Sequence, residues 1–380
     1  MVPTTQTSKH SISLFFPTTL TSNPDFACHS DSEGLVIHWP ATMVHNKAAW
    51  LMTKGAHPFQ IDEAPMPDPE PNEIVLRTHA VAINPVDWGI QSRGILVDSY
   101  PASIGCVVAG DFYAVGSNVK GFSPGDRAIG VASLLASRPN KGTFQLYCAV
   151  DQDFATRLPD NVSYTDGCVL PLALITAACA LFTKGNLGLP YPRLTPQPID
   201  KVVLVWGGSS SVGSCATQMA KAAGFEVATT CGAHNAEYCR GIGADYVFDH
   251  TTKTVVDDVV KALRGKTLAG VLECVFPPET IVACAQIADQ LDGSKHLMTV
   301  LTCEHGLVVP EGLPARVKTG YSRCSRLFCL QENRADVGGT SSTSYPHPRR
   351  GGWTGSLEVA RCGSGEWIDE VQAERRGRGT

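Results

Sequence analysis

A run of small residues, GGSSSVG at positions 207–213, is the part of the sequence best suited to chemistry. It follows a short apolar run, Val202 to Trp206, and precedes a stretch in which apolar residues recur at helical spacing. Because small side chains let backbone N–H groups approach an anion at the start of a helix, the turn predicts a site for the diphosphate of a dinucleotide. A tight turn without a ligand is the alternative, since Ser210 replaces the middle glycine of the GxGxxG pattern. The residues predicted to bind the diphosphate are Ser209, Ser210, Ser211, Val212 and Gly213.

The end of the next strand indicates which dinucleotide is bound. In NAD-binding domains an acidic residue about 20 positions after the glycine-rich turn pairs with the ribose hydroxyls. No acidic residue lies between Val227 and Asn235. A 2′-phosphate would therefore not be repelled, so the sequence predicts NADPH rather than NADH. The candidate phosphate-binding residues are Gly232, His234, Asn235 and His250, with Arg240 as a further neighbour, and the alternative for each is an ordinary solvated loop position.

Alternating strand and helix patterns surround the turn. From Thr165 onward, short apolar runs alternate with helical stretches, as in the βαβ units of a parallel sheet. Residues 165–312 are therefore predicted to form a Rossmann domain with a doubly wound parallel sheet, which makes the chain an α/β protein. The predicted strands are 201–206, 225–231, 245–250, 268–275 and 296–301, and helices follow the turn and lie near 235–243, 254–264 and 279–291.

An all-β domain is predicted before it, over residues 43–164. Short strand-like runs separated by Gly and Pro are typical of a small barrel. The Pro-rich segment 64–73 is predicted to be a loop, because proline cannot donate to a strand ladder. The strand-like runs are 47–52, 73–83, 105–116, 127–133 and 143–150.

The overall composition excludes several classes of protein. The 380 residues carry a formal net charge of −5, which provides no positive footprint for nucleic acid or for an anionic membrane surface. The longest charge-free apolar stretch, Gly167 to Thr183, is shorter than the roughly 20 residues of a membrane-spanning helix. The 14 cysteines form no CxxC pair, which is typical of reduced thiols inside cells. The sequence therefore predicts a cytoplasmic protein with a small-molecule partner.

The two ends of the chain differ from its middle. Residues 1–42 are rich in Ser and Thr and contain one Lys and no Arg, and we expect a flexible leader, with organelle import as the alternative. Residues 321–380 hold nine Arg, nine Gly and no Lys, without apolar periodicity. Residues 313–380 are therefore predicted to be a truncated or aberrant segment that is largely disordered. Our hypothesis is that a frame change or a retained intron in the gene model produced it.

Five segments in order resemble the medium-chain dehydrogenase/reductase superfamily. Within it they are most similar to the zinc-free quinone and enoyl reductases, including the fungal trans-acting enoyl reductases that serve polyketide synthases. The resemblance covers residues 43–320 and implies a GroES-like β-barrel domain packed on the nucleotide-binding domain, with the active site between them. The segments are AINPVDW (82–88), GFSPGDRAIG (121–130), GTFQLY (142–147), PLALITAACALF (171–182) and WGGSSSVG (206–213).

The resemblance also implies site residues. Zinc-dependent relatives carry a metal-binding cysteine at the position of Asn84 and a His–Glu pair at the positions of Cys106 and Val107. Zinc needs about three or four N, S or O ligands, so these differences imply an enzyme without a metal. The residues expected to border the nicotinamide are Asn84, Pro85, Val86 and Asp87, and those expected on the substrate side are Ala173, Leu174, Ile175 and Thr176.

A reductase of this kind is expected to transfer hydride from NADPH to an activated C=C bond. Its partner would be a small enoyl or quinone substrate, free or carried on a polyketide synthase, and no residue is assigned as the proton donor. The alternative is a catalytically impaired NADPH-binding protein. It arises because PARVKTGY (314–321) looks like the start of the return to the GroES-like domain, whereas the expected strands do not follow it. A monomer or a homodimer is expected.

Overall fold

A computed structural model describes residues 44–123, 125–132, 141–300 and 310–322, together with strand residues 30–31, 34–35 and 359–361. The chain divides into two units, Met1–Val44 and His45–Thr380. In the first unit, strand β1 (Ser30–Asp31) pairs antiparallel with β2 (Gly34–Leu35). The rest of the leader predicted at 1–42 lies outside the described residues.

The second unit begins with the predicted β domain, which contains two antiparallel sheets. Its elements are β3 (Asn46–Leu51), β4 (Gln60–Ala64), β5 (Glu73–Ala82), α1 (Pro85–Arg93), β6 (Ala102–Ser103), β7 (Val107–Val115), β8 (Arg127–Val131), β9 (Tyr147–Asp151), β10 (Ala155–Arg157) and α2 (Tyr164–Cys168). The larger sheet contains β10, β8, β7 and β5 in that order, with β9 also paired to β5, and the smaller sheet has the order β4–β3–β6. The five predicted strands of this domain are confirmed, whereas the helix α1 was not predicted.

Strand β5 is the centre of this domain, and most of its length is buried. Ile74 and Leu76 pack in one apolar cluster with β7, β8 and β9, while Ala80 and Ala82 pack in a second cluster with β7, α2 and the helix that follows α2. A strand covered on both faces needs apolar residues in succession, which is the pattern of this segment.

The nucleotide-binding part follows the β domain. Its elements are α3 (Pro171–Phe182), β11 (Val202–Trp206), α4 (Ser211–Ala222), β12 (Glu226–Cys231), α5 (Ala236–Gly241), β13 (Tyr246–Asp249), α6 (Val255–Leu263), β14 (Thr267–Glu273), α7 (Pro278–Gln290), β15 (Asp292–Gly293), β16 (His296–Thr299) and β17 (Lys318–Tyr321). The strands form one parallel sheet of order β13–β12–β11–β14–β16–β17, with β15 beside β14. The predicted Rossmann sheet is therefore confirmed, with all five predicted strands and two more.

Helices cover both faces of this sheet. Alternate residues of β11 pack into different cores: Leu204 lies in the cluster formed with α6 and α7, and Val205 lies in the cluster formed with α3 and α4. Every residue of β11 is buried, as the alternation of side chains in a doubly covered strand requires. The central strand thus ends at a fixed point between the two layers, and the predicted diphosphate turn begins there.

Helices α2 and α3 form one helical run, Tyr164–Phe182, that joins the two domains. The run is 19 residues long with a mean hydropathy of 1.8 in its most apolar window, so it meets the length and composition criteria for a membrane span. However, 56% of that window is buried inside the protein. The buried residues include Ala177 and Leu181, which belong to the core of the nucleotide-binding domain.

Two short strands lie within the predicted C-terminal segment 313–380. Lys318–Tyr321, expected to start the return to the β domain, pairs in parallel with β16, so the nucleotide sheet extends past the predicted boundary at 312. A later strand, β18 (Val359–Arg361), pairs antiparallel with Ala80–Ala82 of β5. The two strands contain seven residues of the predicted segment 313–380, and the prediction for residues 323–358 and 362–380 lies outside the described residues. Strands this short show no periodicity in sequence, and an open sheet edge accepts them through backbone hydrogen bonds.

Candidate functional site

The turn between β11 and α4, residues 207–213, has the features of an anion-binding site, and we call it the anion turn. Ser210 is the N-cap of α4: its Oγ accepts the N–H of Gly213 at 3.1 Å and donates to the carbonyl oxygen of Gly207 at 2.7 Å. The N–H groups of Ser211 and Val212 precede the first intrahelical bond, from Ser214 to Ser210, so the helix provides no acceptor for them. Such N–H groups, with the helix dipole behind them, favour a bound anion.

Glycines are required in this turn by close approach of the backbone. Gly207 has a φ of +87°, a conformation that other residues rarely adopt. A Cβ on Gly208 would overlap the side chain of Thr229, and a Cβ on Gly213 would overlap the carbonyl oxygen of Gly207. The capped helix start and this compact turn fit the diphosphate of a dinucleotide, as predicted from the sequence.

The end of β12 is joined directly to the turn. The N–H of Gly207 donates to Thr230 Oγ1 at 3.1 Å, and the N–H of Gly208 donates to the carbonyl oxygen of Thr230 at 2.9 Å. Beyond the strand, the side chains of His234 and Asn235 lie 3.1 Å apart, from Nε2 to Nδ2. The backbone N–H of His250 donates to the carbonyl oxygen of Cys231 at 3.1 Å. The predicted 2′-phosphate residues therefore meet at one edge of the sheet.

Asp249 is an acidic residue at this edge that the sequence analysis missed. It ends β13 and lies opposite Cys231 of β12 in the sheet register. Its carboxylate accepts the N–H and the Oγ1–H of Thr251 at 2.9 and 2.7 Å; these bonds, and then the nearby His250 and His234, hold the pKa of Asp249 below its usual value. The sequence search for an acid covered only the second strand, whereas parallel neighbours end at the same edge. The carboxylate of Asp249 and the two histidines therefore lie close together at this edge of the sheet.

Hydrogen bonds between Asn84 and Asp87 fix the start of α1, which we call the Asn84 loop. Asn84 is the N-cap, and its backbone N–H donates to Asp87 Oδ2 at 2.7 Å. The other oxygen, Oδ1, accepts the thiol of Cys106 at 3.0 Å. Asp87 is buried, and burial raises its pKa to about 6. Both carboxylate oxygens are thus used inside the protein, one of them by the backbone of Asn84.

Side chains suited to zinc are sparse around this loop. Within the described part of the chain, no group of three His, Cys, Asp or Glu side chains is arranged to hold a metal ion. Cys106 is buried, and burial beside Asp87 raises the pKa of its thiol well above the usual value, so the thiol is neutral. A neutral thiol bonded to a carboxylate is a weak metal ligand, since the thiolate is the form that binds metal.

The first turns of α3 lie between the loop and the anion turn. Ala173 and Leu174 belong to the apolar cluster that includes Val212, and Ile175 belongs to the cluster that includes Val86. The resemblance places residues 173–176 on the substrate side, and we call them the substrate wall. The hydroxyl of Thr176 donates to the carbonyl oxygen of Leu172 at 2.7 Å, so it is used within the helix. The substrate wall therefore shares one apolar cluster with the start of α4 and another with the start of α1.

A fourth segment near the anion turn was missed by the sequence analysis. Val275 follows β14, is 41% exposed, and lies against Gly207. Its position is set by Glu273, whose Oε1 accepts the N–H groups of Val275 and Phe276 at 2.7 and 2.9 Å and the hydroxyl of Thr280 at 2.9 Å. Burial raises the pKa of Glu273, and its Oε2 is buried without a partner among the described residues. An apolar run followed by two prolines gives no sequence signal for this arrangement.

Comparison with known families matches both halves of the chain. Residues 70–160 match the family described as the alcohol dehydrogenase GroES-like domain, and residues 211–294 match the family described as zinc-binding dehydrogenase. The first match covers most of the β domain, and the second runs from the start of α4 to β15.

Relatives and solved structures agree with these matches. The chain is 41% identical to dehydrogenase orsE of Emericella nidulans over 294 residues, 73% of this chain and 82% of the relative. It is 35% identical to trans-enoyl reductase himH of Aspergillus japonicus over 73% of this chain and 78% of the relative. The fold matches the CurK enoyl reductase with a TM-score of 0.59, 17% identity and coverage of 88% of this chain and 87% of that chain. The fold also matches the quinone oxidoreductase from Coxiella burnetii, with a TM-score of 0.56, 20% identity and coverage of 75% of this chain and 87% of that chain.

Proposed function

The chain belongs to the medium-chain dehydrogenase/reductase superfamily, and we propose that it is an NADPH-dependent reductase that transfers hydride to an activated C=C bond without a metal. Oxidoreductases of this superfamily use a nicotinamide cofactor. The observation that carries the proposal is the packing of the substrate wall in two apolar clusters, one with Val212 beside the capped anion turn and one with Val86 beside Asn84. Asn84 and Cys106 at positions where zinc-dependent relatives carry ligands support the metal-free part of the proposal.

The residues of the chain have separate tasks in this proposal. The N–H groups of Ser211 and Val212 would bind the diphosphate, and Asn84, held by Asp87, would border the nicotinamide. Reduced nicotinamide, when bound, supplies the hydride. The apolar side chains of the substrate wall would exclude water from the reacting carbon atoms, which strengthens electrostatic interactions inside the site.

The proposed substrate is an enoyl or quinone-type compound with a carbonyl group conjugated to the reacting bond. Relatives named trans-enoyl reductases support an enoyl thioester, free or carried on a polyketide synthase. The proposed location is the cytoplasm, and the proposed state is a monomer or a homodimer.

We expect the purified protein to oxidise NADPH when it is mixed with a panel of enones, enoyl thioesters and quinones. The measurement is the loss of absorbance of the reduced nicotinamide, with and without a strong chelator of zinc. Because no zinc-ligand set lies among the described residues, the rate is expected to be unchanged by the chelator. A rate lost on chelation contradicts the metal-free reaction. Binding of NADPH without oxidation by any substrate would instead indicate the catalytically impaired NADPH-binding protein.

The cofactor preference is tested by His250→Ala, which keeps the backbone bond to Cys231. We expect the dissociation constant of NADPH to rise roughly tenfold, because a hydrogen bond to a charged phosphate contributes about 1.5–3 kcal/mol. The dissociation constant of NADH, measured on the same preparation by calorimetry, is expected to stay within about twofold because NADH lacks the phosphate that this bond serves. Equal losses for the two cofactors would contradict a phosphate contact at this residue.

A further inference from the structure

A polar cluster on the β domain is not among the residues proposed to bind the cofactor or the substrate. His79 of β5 and Asp111 of β7 are joined by a hydrogen bond of 2.8 Å between Nε2 and Oδ2. The hydroxyl of Tyr164, the first residue of α2, donates to the other oxygen of Asp111. The carboxylate of Asp111 on β7 is therefore hydrogen-bonded to one side chain of β5 and to one side chain of α2.

The ring of Tyr164 has two further contacts. The imidazole of His79 stacks on it, with ring centroids 4.5 Å apart and an angle of 10° between the planes. The guanidinium of Arg127 lies 4.3 Å from the ring centroid, a distance at which a cation is attracted to the aromatic face. Arg127 is itself fixed by bonds of 3.0 and 2.7 Å to the carbonyl oxygens of Pro159 and Val162, just before α2.

This arrangement fixes one end of a helical run whose other end is fixed elsewhere. Tyr164 begins the run, whereas Leu181 and Phe182 near its end are buried in the core of the nucleotide-binding domain. The substrate wall lies between these ends, and its residue Ile175 belongs to the same apolar cluster as Tyr164. Movement of the Tyr164 end would therefore displace the wall.

The bonds of this cluster are specific in geometry. His79 and Asp111 are each close to 30% exposed at the side chain, so the cluster is partly shielded from water. Partial burial and the bond to Asp111 raise the pKa of Tyr164, which keeps its hydroxyl protonated as a donor. Apolar packing alone has no direction, whereas a carboxylate with two donors fixes where the helix begins.

We propose that His79, Asp111 and Tyr164 form a clamp that positions the substrate wall and so sets how tightly the substrate is held. The inference rests on the proposed function and deepens it. These three are positioning residues, since they act on the wall through the helical run. The nucleotide site is expected to be independent of the clamp, because the anion turn is fixed by its own bonds to β12.

The test is Tyr164→Phe, which keeps the ring and removes the bond to Asp111. We expect KM for the enoyl or quinone substrate to rise about threefold to tenfold with a smaller change in kcat, because small misplacement of positioning groups weakens productive binding. The dissociation constant of NADPH is expected to be unchanged. Hydrogen exchange of residues 171–176, followed by mass spectrometry, is expected to become faster. Asp111→Asn retains an acceptor for the tyrosine and should give a smaller effect in the same direction.

Tyr113→Phe is the matched control. Tyr113 lies on β7 close to Asp111, is 43% exposed and contacts only the ring of Tyr147 among the described aromatic groups. Unchanged KM and unchanged exchange in Tyr164→Phe would overturn the clamp and leave the reductase proposal intact. If the dissociation constant of NADPH rose as much as KM in Tyr164→Phe, the clamp would also be overturned, because the substitution would then have loosened the nucleotide site as well. If the wild-type protein oxidised no NADPH, the reductase proposal would fail, and faster exchange in the variant would still support the clamp.

Discussion

Gly213→Ala is expected to raise the dissociation constant of NADPH by about a hundredfold or more, the largest effect on binding that the structure predicts. The added methyl group would overlap the carbonyl oxygen of Gly207 and would lie 2.9 Å from Gly208 Cα, so the turn must move away from the start of α4. Each hydrogen bond to a charged group contributes about 1.5–3 kcal/mol, and two misplaced N–H donors are enough for this loss. Titration calorimetry with NADPH measures it.

Gly241→Ala is the control for this substitution. Gly241 also lies in a helix of the nucleotide-binding domain, and apart from its chain neighbours and the backbone of its own helix no described atom lies within 4 Å of a Cβ added there. Its binding of NADPH is expected to match the wild type. If Gly213→Ala were folded and bound NADPH with wild-type affinity, the turn could not be the diphosphate site.

Asp87→Asn is expected to remove a pH dependence of stability of about 3 kcal/mol. Burial raises the pKa of Asp87 from 3.8 to about 6, so the folded state holds this proton more tightly than the unfolded state. Stability therefore falls as the pH rises from about 4 to about 6 and levels off above that range. A shift of about 2 pKa units corresponds to roughly 3 kcal/mol. Asparagine keeps an oxygen acceptor for the N–H of Asn84 and does not ionise.

The measurement is the free energy of unfolding from denaturant titrations at several pH values. The free energy of unfolding of Asp87→Asn minus that of the wild type should increase between pH 4 and pH 6. Glu273, whose pKa is also raised, is present in both proteins and cancels in the difference. Asp160→Asn removes an exposed carboxylate, and its profile of unfolding free energy against pH should be parallel to that of the wild type. Parallel profiles for Asp87→Asn as well would contradict an ionising Asp87 at this site.

The strand, turn and helix around the anion site could be predicted from the sequence because their signals are local. Five apolar residues before GGSSSVG and helical spacing after it are enough to place β11 and α4. The helix α1 was missed because it is short and mixed in polarity, and its start depends on the cap formed by Asn84 and Asp87.

The C-terminal strands could not be predicted for a different reason. Lys318–Tyr321 and Val359–Arg361 gain their structure from the edges they join, β16 and β5, rather than from an apolar pattern of their own. Backbone hydrogen bonding tolerates many sequences, so composition alone suggested disorder where strands are present.

By itself, the sequence determined the superfamily, the two-domain plan and the anion turn, because each depends on residues adjacent in the chain. Only the tertiary structure decided which distant groups meet: Asp249 beside the histidines, Cys106 on Asp87, and Asp111 between His79 and Tyr164. These pairs depend on strand order and register, which are fixed by packing across the whole sheet rather than by local periodicity.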